Sequence, residues 1–408
     1  MAPAIAERAS PALIASLKAP AAFKAAAMAA LNLREGRLVM VLPDGRRISF
    51  GDRDEPEVLL RIINYAFAQR IVRNGDIGLA EGYMAGEWDT PDLSALLTFL
   101  SGNADRIIRV FRGNPLVQAM NLIGNIGREN TRSGSKKNIH AHYDLGNRFY
   151  EAWLDGTMTY SAARFDRSPG ADLERAQLEK YRALAASMNL KPGEHVLEIG
   201  CGWGGFADVA AREYGATVTG LTISQEQFDF ASARMQREGL NDKVDIRMLD
   251  YRDVEGRFDK VASIEMFEAV GEKYWPQYFS KVSDVLKPGG AAGLQIITIR
   301  DDLFDSYRSR VDFIQQYVFP GGMLPSLARL EEETSRAGLR QQGVQAFGES
   351  YADTLAAWGD RFLSAWSEIS RLGFDERFKR LWQFYLSYCE AGFRSGRTDV
   401  VQLALQKV

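Results

Sequence analysis

Four glycines lie within six residues in the stretch VLEIGCGWGGFA (196–207), directly after an apolar run. In a parallel α/β sheet, ligands bind at the carboxyl ends of the strands, so a glycine turn after a strand is where a nucleotide-like cofactor would lie. Glycine lets the backbone turn tightly there and approach the cofactor closely. The loop alone fits two kinds of cofactor site.

The first is the GxGxxG pattern of dinucleotide-binding proteins. The second is the E-x-G-x-G-x-G pattern of S-adenosylmethionine-dependent methyltransferases, which here comprises Glu198, Gly200, Gly202 and Gly204. Such a methyltransferase needs a carboxylate near the ammonium group of its cofactor. Glu198 lies at the end of an apolar strand, where burial of its charge without a partner would be costly. The predicted second strand (216–224) has no acid to bind ribose hydroxyls. The loop therefore predicts S-adenosylmethionine as cofactor, with a tight turn of purely structural role as the alternative.

The elements around this loop alternate between strands and helices from about residue 178. Apolar runs predict strands over 196–200, 216–224, 244–251, 258–267 and 291–299. Helical spacing covers 225–240, which ends on a glycine, and 274–290, which ends at a Pro/Gly stop. This alternation predicts a parallel, doubly wound, Rossmann-like sheet. From Arg300 to residue 394 the pattern is mainly helical and rich in aromatic residues.

The first part of the chain has a different pattern. Residues 33–50 alternate around Pro43-Asp44-Gly45, which predicts a β-hairpin. The Ala-rich segment before it predicts a helix packed on its own domain, with a helix lying on a membrane surface as the alternative. Helical patterns continue to about residue 126. We predict a small N-terminal α+β domain over 1–138 that could dock on lipid, and a catalytic domain over 139–408.

The end of the first domain is basic. Between residues 106 and 137 a single acid, Glu129, accompanies seven basic residues: Arg106, Arg109, Arg112, Arg128, Arg132, Lys136 and Lys137. A solvated linker and a contact with an anionic membrane surface both explain this surplus. On a membrane each basic residue can contribute about 1 kcal/mol.

The composition excludes several classes of protein. A formal net charge of −3 excludes a nucleic-acid binder that is basic throughout. Two cysteines, Cys201 and Cys389, without a CxxC motif exclude a disulfide framework, and we predict no metal site. The N-terminus lacks the signature of a secretory signal, and no apolar run reaches the length of about 18 residues that a transmembrane helix needs. We therefore expect a cytoplasmic protein without a nucleic-acid partner.

Several motifs, taken together, resemble the bacterial cyclopropane-fatty-acyl-phospholipid synthases. They are HYDLGNRFYEAWLDGTMTYS (142–161), the glycine loop, LTISQEQ (221–227), MFEAVG (266–271), YVFPGGMLPS (317–326) and YADTLAAWGDRFLSAW (351–366). The resemblance implies transfer of the methyl carbon of S-adenosylmethionine to a cis double bond of a phospholipid acyl chain at the membrane surface, followed by closure of a cyclopropane ring. It also implies peripheral membrane association, and homodimers are common in the family.

The resemblance assigns cofactor contacts to matching positions of this chain. They are Tyr160, Ser161, Glu198, Gly200, Gly202, Thr222 and Gln227. An alkene has no proton to remove before it attacks a methyl group, so alignment is the main task of the enzyme. The carbocation that results is stabilised by aromatic faces, and the family motifs carry many aromatic residues: Tyr143, Tyr160, Phe267, Tyr317, Phe319, Tyr351 and Trp358. For each of them ordinary core packing is the alternative.

Ring closure requires a base that accepts a proton from the carbocation. The residues at the positions of this base depart from the family pattern. Typical members hold a bicarbonate ion with a cysteine, a glutamate, a histidine and a tyrosine. This chain keeps Glu268 and Tyr351, but Ala162 stands at the cysteine position and Gln295 at the histidine position. A bicarbonate site is therefore in doubt.

A substitute stands three residues before Glu268. Glu265 occupies a position where typical relatives have a small residue, and a helical turn would bring the two carboxylates to one face. We hypothesise that Glu265 supplies the negative charge of the missing bicarbonate and that one carboxylate raises the pKa of the other, so that it can accept a proton. An ion-paired or solvated residue at a strand end is the alternative.

Four interpretations of function follow, of which cyclopropane formation is the main one. The combination of Glu265, Ala269 and Gln295 also resembles relatives that leave a methylene or methyl branch without a ring, which is the second. The third is methylation of nitrogen or oxygen on a small acceptor, and the fourth is lipid binding without catalysis. In each lipid interpretation we expect the helices from Arg300 to Arg394 to cover an acyl-binding cleft.

Overall fold

The computed structural model describes residues 6–52, 55–106, 145–166 and 172–408. These residues form two compact units. One unit contains the described residues up to 106 together with 309–317 and 373–397, and the other contains the remaining described residues. The predicted boundary between residues 138 and 139, and the basic stretch beyond Arg106, lie outside the described residues.

The N-terminal unit is built on a five-stranded sheet in the order β1-β3-β2-β4-β5. Its strands are β1 (Glu7–Arg8), β2 (Arg37–Val41), β3 (Arg47–Phe50), β4 (Glu57–Ile62) and β5 (Trp88–Asp89). Strands β2 and β3 pair antiparallel around Gly45, whose φ of 84° suits glycine. The predicted hairpin is therefore confirmed, while β4 and β5 lie in a region where we predicted helices.

Five helices accompany this sheet: α1 (Pro11–Ser16), α2 (Ala21–Ala30), α3 (Ala66–Asn74), α4 (Asp76–Met84) and α5 (Leu93–Gly102). The Ser10 hydroxyl accepts the Leu13 N–H at 3.2 Å and caps α1. Phe23 and Ala27 of α2 are buried. The Ala-rich N-terminal segment thus packs within its own unit, as the first of its two interpretations expected.

The second unit contains a seven-stranded sheet in the order β11-β12-β10-β9-β6-β7-β8. Its strands are β6 (His195–Ile199), β7 (Thr217–Thr222), β8 (Val244–Met248), β9 (Phe258–Ile264), β10 (Leu286–Ile299), β11 (Leu339–Ala346) and β12 (Thr398–Lys407). Strands β6 to β10 are parallel to their neighbours within this group, which confirms the predicted Rossmann-like sheet. Strands β11 and β12 were not predicted, and β12 pairs antiparallel with both β10 and β11.

The remaining helices, numbered along the chain, are α6 (Asn147–Glu151), α7 (Leu173–Ser187), α8 (Gly205–Glu213), α9 (Gln225–Arg237), α10 (Trp275–Val285), α11 (Asp301–Arg308), α12 (Phe313–Tyr317), α13 (Leu327–Arg336), α14 (Gly348–Ser364), α15 (Trp366–Ile369) and α16 (Glu376–Arg394). Helices α12 and α16 belong to the N-terminal unit. The stretch from Arg300 to Arg394, which we expect to cover an acyl-binding cleft, is therefore divided between the two units. In the part of the chain that the structure describes, no helix is both long and apolar enough to cross a bilayer.

Two apolar clusters cover the faces of the large sheet. Leu197 and Ile199 of β6 pack in one cluster with α10, and Val196 packs in the other with α7 and α8. Side chains alternate between faces along a strand. Glu198 therefore lies on the same face as Val196, the face that α7 and α8 cover.

Candidate active site

The glycine loop joins the end of β6 to the start of α8. Gly200 has a φ of 80° and Gly202 a φ of 53°, in the left-handed region that side chains other than glycine rarely adopt. A Cβ at Gly200 would lie 2.8 Å from Cγ of Met266, whereas a Cβ at Gly202 would meet no atom of the described residues within 4 Å. The backbone at Gly202 thus borders open space in which a ligand can approach it.

The carboxyl group of Glu198 lies at the start of this loop and has an oxygen without a hydrogen-bond partner among the described residues. The residue is 2% exposed, and its Oε2 is buried without a hydrogen-bond partner among the described residues. Burial raises the pKa of Glu198 well above its usual range, although the charges of Arg234 and Lys180 oppose the rise. A ligand that brings a cationic group to Oε2 would compensate this buried carboxylate. The ammonium group of S-adenosylmethionine meets that requirement, so the residues present fit this cofactor.

A third part of the cofactor site lies at the end of β7. The Thr222 hydroxyl donates to Oε1 of Gln227 at 2.9 Å and accepts the N–H of Ser224 at 3.1 Å. The amide oxygen of Gln227 is thereby occupied, and its NH₂ group is the part that can donate to a ligand. Both side chains are buried at the carboxyl edge of the sheet, where the resemblance places the cofactor. We call Glu198, Gly200, Gly202, Thr222 and Gln227 the cofactor half of the site.

Ser161 is held from two sides by α7. Gln177 donates through Nε2 to the Ser161 carbonyl at 2.9 Å, and Nζ of Lys180 donates to the Ser161 hydroxyl at 2.6 Å. The preceding residue, Tyr160, packs its ring 5.2 Å from the ring of Trp358. The structure therefore fixes both residues of this motif by packing and hydrogen bonds.

The aromatic residues of the family motifs fall into separate groups. Tyr351 packs with Trp358 at a ring-centroid distance of 6.2 Å, and Trp358 in turn adjoins Tyr160. Phe267 is a core residue in contact with Trp275. Tyr143 lies outside the described residues, Tyr317 belongs to the N-terminal unit, and the Phe319 carbonyl accepts the Gly322 N–H in a turn.

Glu265 is the centre of the base half of the site, which we define as Glu265, Glu268, Gln295 and Tyr351. Its Oε1 accepts the N–H of Ala162 at 2.8 Å and Nε2 of Gln295 at 2.8 Å. Its Oε2 accepts the Tyr351 hydroxyl at 2.7 Å. Burial raises the pKa of Glu265, while the charge of Lys180 and these three hydrogen bonds oppose the rise. Gln295 and Tyr351 are thus in direct contact with Glu265, and Glu268 lies close enough for the charge of Glu265 to act on it.

The backbone at Glu265 is strained to make this arrangement. Its φ of 48° lies in the left-handed region, which costs a residue other than glycine about 1–3 kcal/mol. The Glu265 N–H donates to the Gln295 carbonyl at 2.8 Å, which holds the turn at the end of β9. The left-handed turn directs the chain away from β9 and into the 3₁₀ turn Phe267–Ala269. Glycine at this position would relieve the strain but would remove the carboxylate.

Glu268 differs from Glu265 in its partners. Its Oε1 accepts the N–H of Ile297 at 2.6 Å, and its Oε2 is buried without a partner among the described residues. Burial and, second, the charge of Glu265 raise the pKa of Glu268 to about 8. The predicted coupling of the two carboxylates is therefore present, because the charge of Glu265 raises the pKa of Glu268.

The bicarbonate ion of typical relatives does not fit these residues. The Ala162 N–H, the Gln295 amide and the Tyr351 hydroxyl lie at positions that the resemblance assigns to its binding site, and all three donate to Glu265. A bound anion would have to displace the Glu265 carboxylate and would meet its charge. We derive no step through bicarbonate.

Sequence analysis missed two residues of this network. Lys180 is fully buried on α7, and Gln402 of β12 donates through Nε2 to the Lys180 carbonyl at 3.0 Å and to Oε1 of Gln295 at 3.1 Å. Gln402 therefore turns the Gln295 amide so that its NH₂ group faces Glu265. A signal for Lys180 was available, because it occupies the apolar face of α7 with Leu173, Ala176 and Leu184. No signal pointed to Gln402, because β12 was not predicted.

Comparison with known proteins assigns this architecture to a family. The profile described as "Mycolic acid cyclopropane synthetase" matches residues 130–403. The chain belongs to this family. A relative named tuberculostearic acid methyltransferase UfaA1, from Mycobacterium tuberculosis, is 37% identical over 97% of this chain and 94% of its own length. The cyclopropane-fatty-acyl-phospholipid synthase of Escherichia coli is 35% identical over 85% of this chain and 87% of its own.

A solved member of the mycolic acid cyclopropane synthetase family has the same fold. The crystal structure of mycolic acid cyclopropane synthase CmaA1 complexed with SAH and CTAB superposes with a TM-score of 0.62 and is 30% identical. The match covers 67% of this chain and 98% of that one. Membership of this family confirms the resemblance seen in the sequence motifs. The chain is an S-adenosylmethionine-dependent methyltransferase, and its relatives are cyclopropane fatty acid synthases and related lipid methyltransferases.

Proposed function

We propose that this methyltransferase transfers the methyl carbon of S-adenosylmethionine to a cis double bond of an unsaturated phospholipid acyl chain and that the product is a cyclopropane ring. The observation that carries the proposal is the Glu265 carboxylate, held by three donors beside the aromatic rings of Tyr351 and Trp358. The names of the relatives from Mycobacterium tuberculosis and Escherichia coli support a lipid acceptor.

The cofactor half and the base half have different tasks in this reaction. When bound, S-adenosylmethionine supplies an electrophilic methyl group. Glu198 would hold its ammonium group through Oε2, which has no partner among the described residues, and the Gln227 amide and the backbone at Gly202 would hold the rest. Ser161 and Tyr160 would complete the contacts on the opposite side. These groups fix the methyl donor, so that alignment with the alkene supplies most of the rate enhancement.

The base half acts after the new carbon–carbon bond has formed. The alkene's electron pair forms that bond as the methyl–sulfur bond breaks, which leaves a carbocation on the acyl chain. The electrons of a C–H bond of the new methyl group then close the ring, and the proton goes to Glu265. Among the described residues, Oε2 of Glu265 accepts only the Tyr351 hydroxyl, so it retains a lone pair for this proton. Aromatic faces next to the cation stabilise it before the proton leaves.

The test supplies the purified protein with S-adenosylmethionine that carries a ¹³C-labelled methyl group and with vesicles of a mono-unsaturated anionic phospholipid. NMR spectra of the recovered acyl chains identify the product. We expect cyclopropyl signals that contain the label. Mass spectrometry alone would not distinguish a cyclopropane from a methylene branch, because the two products are isomers.

Each remaining outcome of this experiment points to a different function. Vinylidene signals would overturn ring closure but retain methyl transfer to the acyl chain. Label on a small amine or hydroxyl acceptor, and none in lipid, would overturn the lipid acceptor. Binding of S-adenosylmethionine without transfer to any acceptor would indicate a lipid-binding protein. The matched control is the Glu265→Gln variant, which should bind the cofactor but leave the lipid unlabelled.

A further inference from the structure

Lys180 interacts with both halves of the described active site, through the charges of Glu198 in the cofactor half and Glu265 in the base half. Its side chain is fully buried on α7, and its Nζ lies 2.6 Å from the Ser161 hydroxyl. Its backbone carbonyl accepts Nε2 of Gln402, which also donates to Gln295. A lysine is rarely buried without a compensating role, because removal of its charge from water is costly.

The charges that surround Lys180 explain how it is tolerated there. The carboxylates of Glu265, Asp155 and Glu198 all interact with its amino group, and the ring of Tyr181 lies 4.4 Å from Nζ. Burial nevertheless lowers the pKa of Lys180 to about 7, because the desolvation penalty exceeds the attraction of these carboxylates. The Lys180 amino group therefore holds its proton more weakly than an ordinary lysine, and its protonated form is the one that these carboxylates stabilise.

We propose that Lys180 is a positioning residue that prepares the cofactor half and the base half together. It orients the Ser161 hydroxyl towards the cofactor, and its positive charge keeps Glu265 ionised. The second part rests on the proposed function, in which Glu265 is the base. The first part rests only on S-adenosylmethionine as the ligand.

The effect on Ser161 follows from the chemistry of an ammonium group. An ammonium group has three donors and no acceptor, so the Ser161 oxygen must accept the hydrogen bond from Nζ. The Gln177 amide holds the Ser161 carbonyl at the same time. The hydroxyl hydrogen of Ser161 is thereby directed away from α7. It is then available to donate to an acceptor such as the carboxylate of the amino-acid part of the cofactor.

The effect on Glu265 follows from the groups that face it. The titratable and charged groups around it are Lys180 on α7, Glu268 after β9 and Tyr351 on α14. Burial is what raises the pKa of Glu265. Lys180 is the cation that opposes it, so loss of Lys180 should make Glu265 bind a proton at higher pH.

The decisive variant is Lys180→Met, which keeps much of the buried side-chain volume and removes the charge. We expect two changes. The dissociation constant of S-adenosylmethionine, measured by isothermal titration calorimetry, should increase about tenfold or more, as for loss of a hydrogen bond to a charged group. The acid limb of the pH profile of kcat/KM should shift to higher pH by about one unit or more. Wild-type affinity or an unmoved acid limb in this variant would overturn the corresponding half of the proposal.

Three further variants test the same contacts, and two of them keep the buried charge. Ser161→Ala should weaken cofactor binding and leave the acid limb in place. In the Ser161→Ala background, Lys180→Met should add little further loss of affinity, since both changes remove one hydrogen bond. Lys180→Arg keeps the charge, so its acid limb should stay at the wild-type pH. If Lys180→Met does not fold, an undiminished cofactor affinity of Ser161→Ala would still overturn the contact.

The matched control is Lys260→Met. Lys260 is also buried, but it lies at the start of β9 and pairs with Glu194 at 3.5 Å. Its removal should change neither cofactor affinity nor the pH profile. Failure of the proposed function would appear separately, as wild-type protein that transfers no methyl group to lipid. The calorimetric measurement does not depend on that outcome.

Discussion

The cofactor half and the base half of the active site are built in different ways. In the cofactor half, the loop after β6 and the turn after β7 lie at adjacent strand ends, and the Glu198 carboxylate retains an oxygen without a partner among the described residues. In the base half, residues from three separate segments converge on Glu265, and their three donors already occupy its carboxylate. The first half is prepared for a ligand. The donors of the second are already engaged by a side chain of the protein.

This difference shows how a site can change its chemistry without a change of fold. A single carboxylate at residue 265 engages the donors at positions where typical relatives bind an external anion. The exchange costs backbone strain at φ 48° and requires that Gln402 fix the orientation of the Gln295 amide. The cofactor half undergoes no comparable exchange.

The largest effect should come from Glu265→Gln. The variant keeps the shape of the side chain and removes its negative charge, so kcat for lipid methylation should fall about 10²–10⁴-fold, the usual range for loss of a general base. Calorimetry should give an unchanged affinity for S-adenosylmethionine. Glu376→Gln, at a side chain that is 67% exposed, is the control and should retain full turnover. A Glu265→Gln enzyme with wild-type kcat would remove Glu265 from the mechanism.

Glu198→Gln should have the opposite pattern. Because a neutral amide cannot compensate the ammonium group of the cofactor, the affinity for S-adenosylmethionine should fall roughly tenfold to a hundredfold. The position of the acid limb of kcat/KM should stay the same, since the base half is intact. Unchanged affinity would show that Glu198 is satisfied by Arg234 and Lys180 and does not contact the cofactor.

Glu265→Gly should convert the base half back into an anion site. Glycine suits the φ of 48°, and the Ala162, Gln295 and Tyr351 donors lose their partner. Added bicarbonate or formate should then restore turnover by about tenfold or more over the anion-free variant, as a positioned base would. The same anions should not rescue Glu265→Gln, whose side chain fills the space. Equal rescue of both variants would contradict the replacement of an anion by Glu265.

The smallest effect concerns stability and comes from Glu268→Gln. The pKa of Glu268 is raised to about 8 in the folded protein from an ordinary 4.5. Its protonated form therefore contributes stability that is fully present below about pH 4.5 and is lost as the pH rises through 8. An amide does not titrate, so the free energy of unfolding of the variant, relative to wild type, should increase by up to ~1.4 kcal/mol per pH unit between pH 5 and 8.

Denaturant unfolding at several pH values measures this difference. Glu376→Gln is again the control and should show no pH-dependent difference from wild type. A constant difference between Glu268→Gln and wild type over this range would mean that Glu268 is ionised at its ordinary pH and that the two carboxylates do not interact.

The sequence by itself determined the local parts of this protein. The glycine loop, Glu198 and the strands β6 to β10 could be predicted because each depends on residues close together in the chain. Apolar runs of about five to eight residues indicate a strand, and a left-handed turn favours glycine. The sequence also showed that Ala162, Glu265 and Gln295 differ from the residues typical of the family at these positions.

Only the tertiary structure decided how those departures fit together. Strand β12, which was not predicted, brings Gln402 beside Gln295 by antiparallel pairing with β10, and α7 brings Lys180 beneath Ser161. These contacts join residues that are 107 and 19 positions apart in the chain. Sequence periodicity reports which face of a helix or strand is buried. It does not report which buried polar groups meet, because that depends on the register of the strands and the packing of α7 on the sheet.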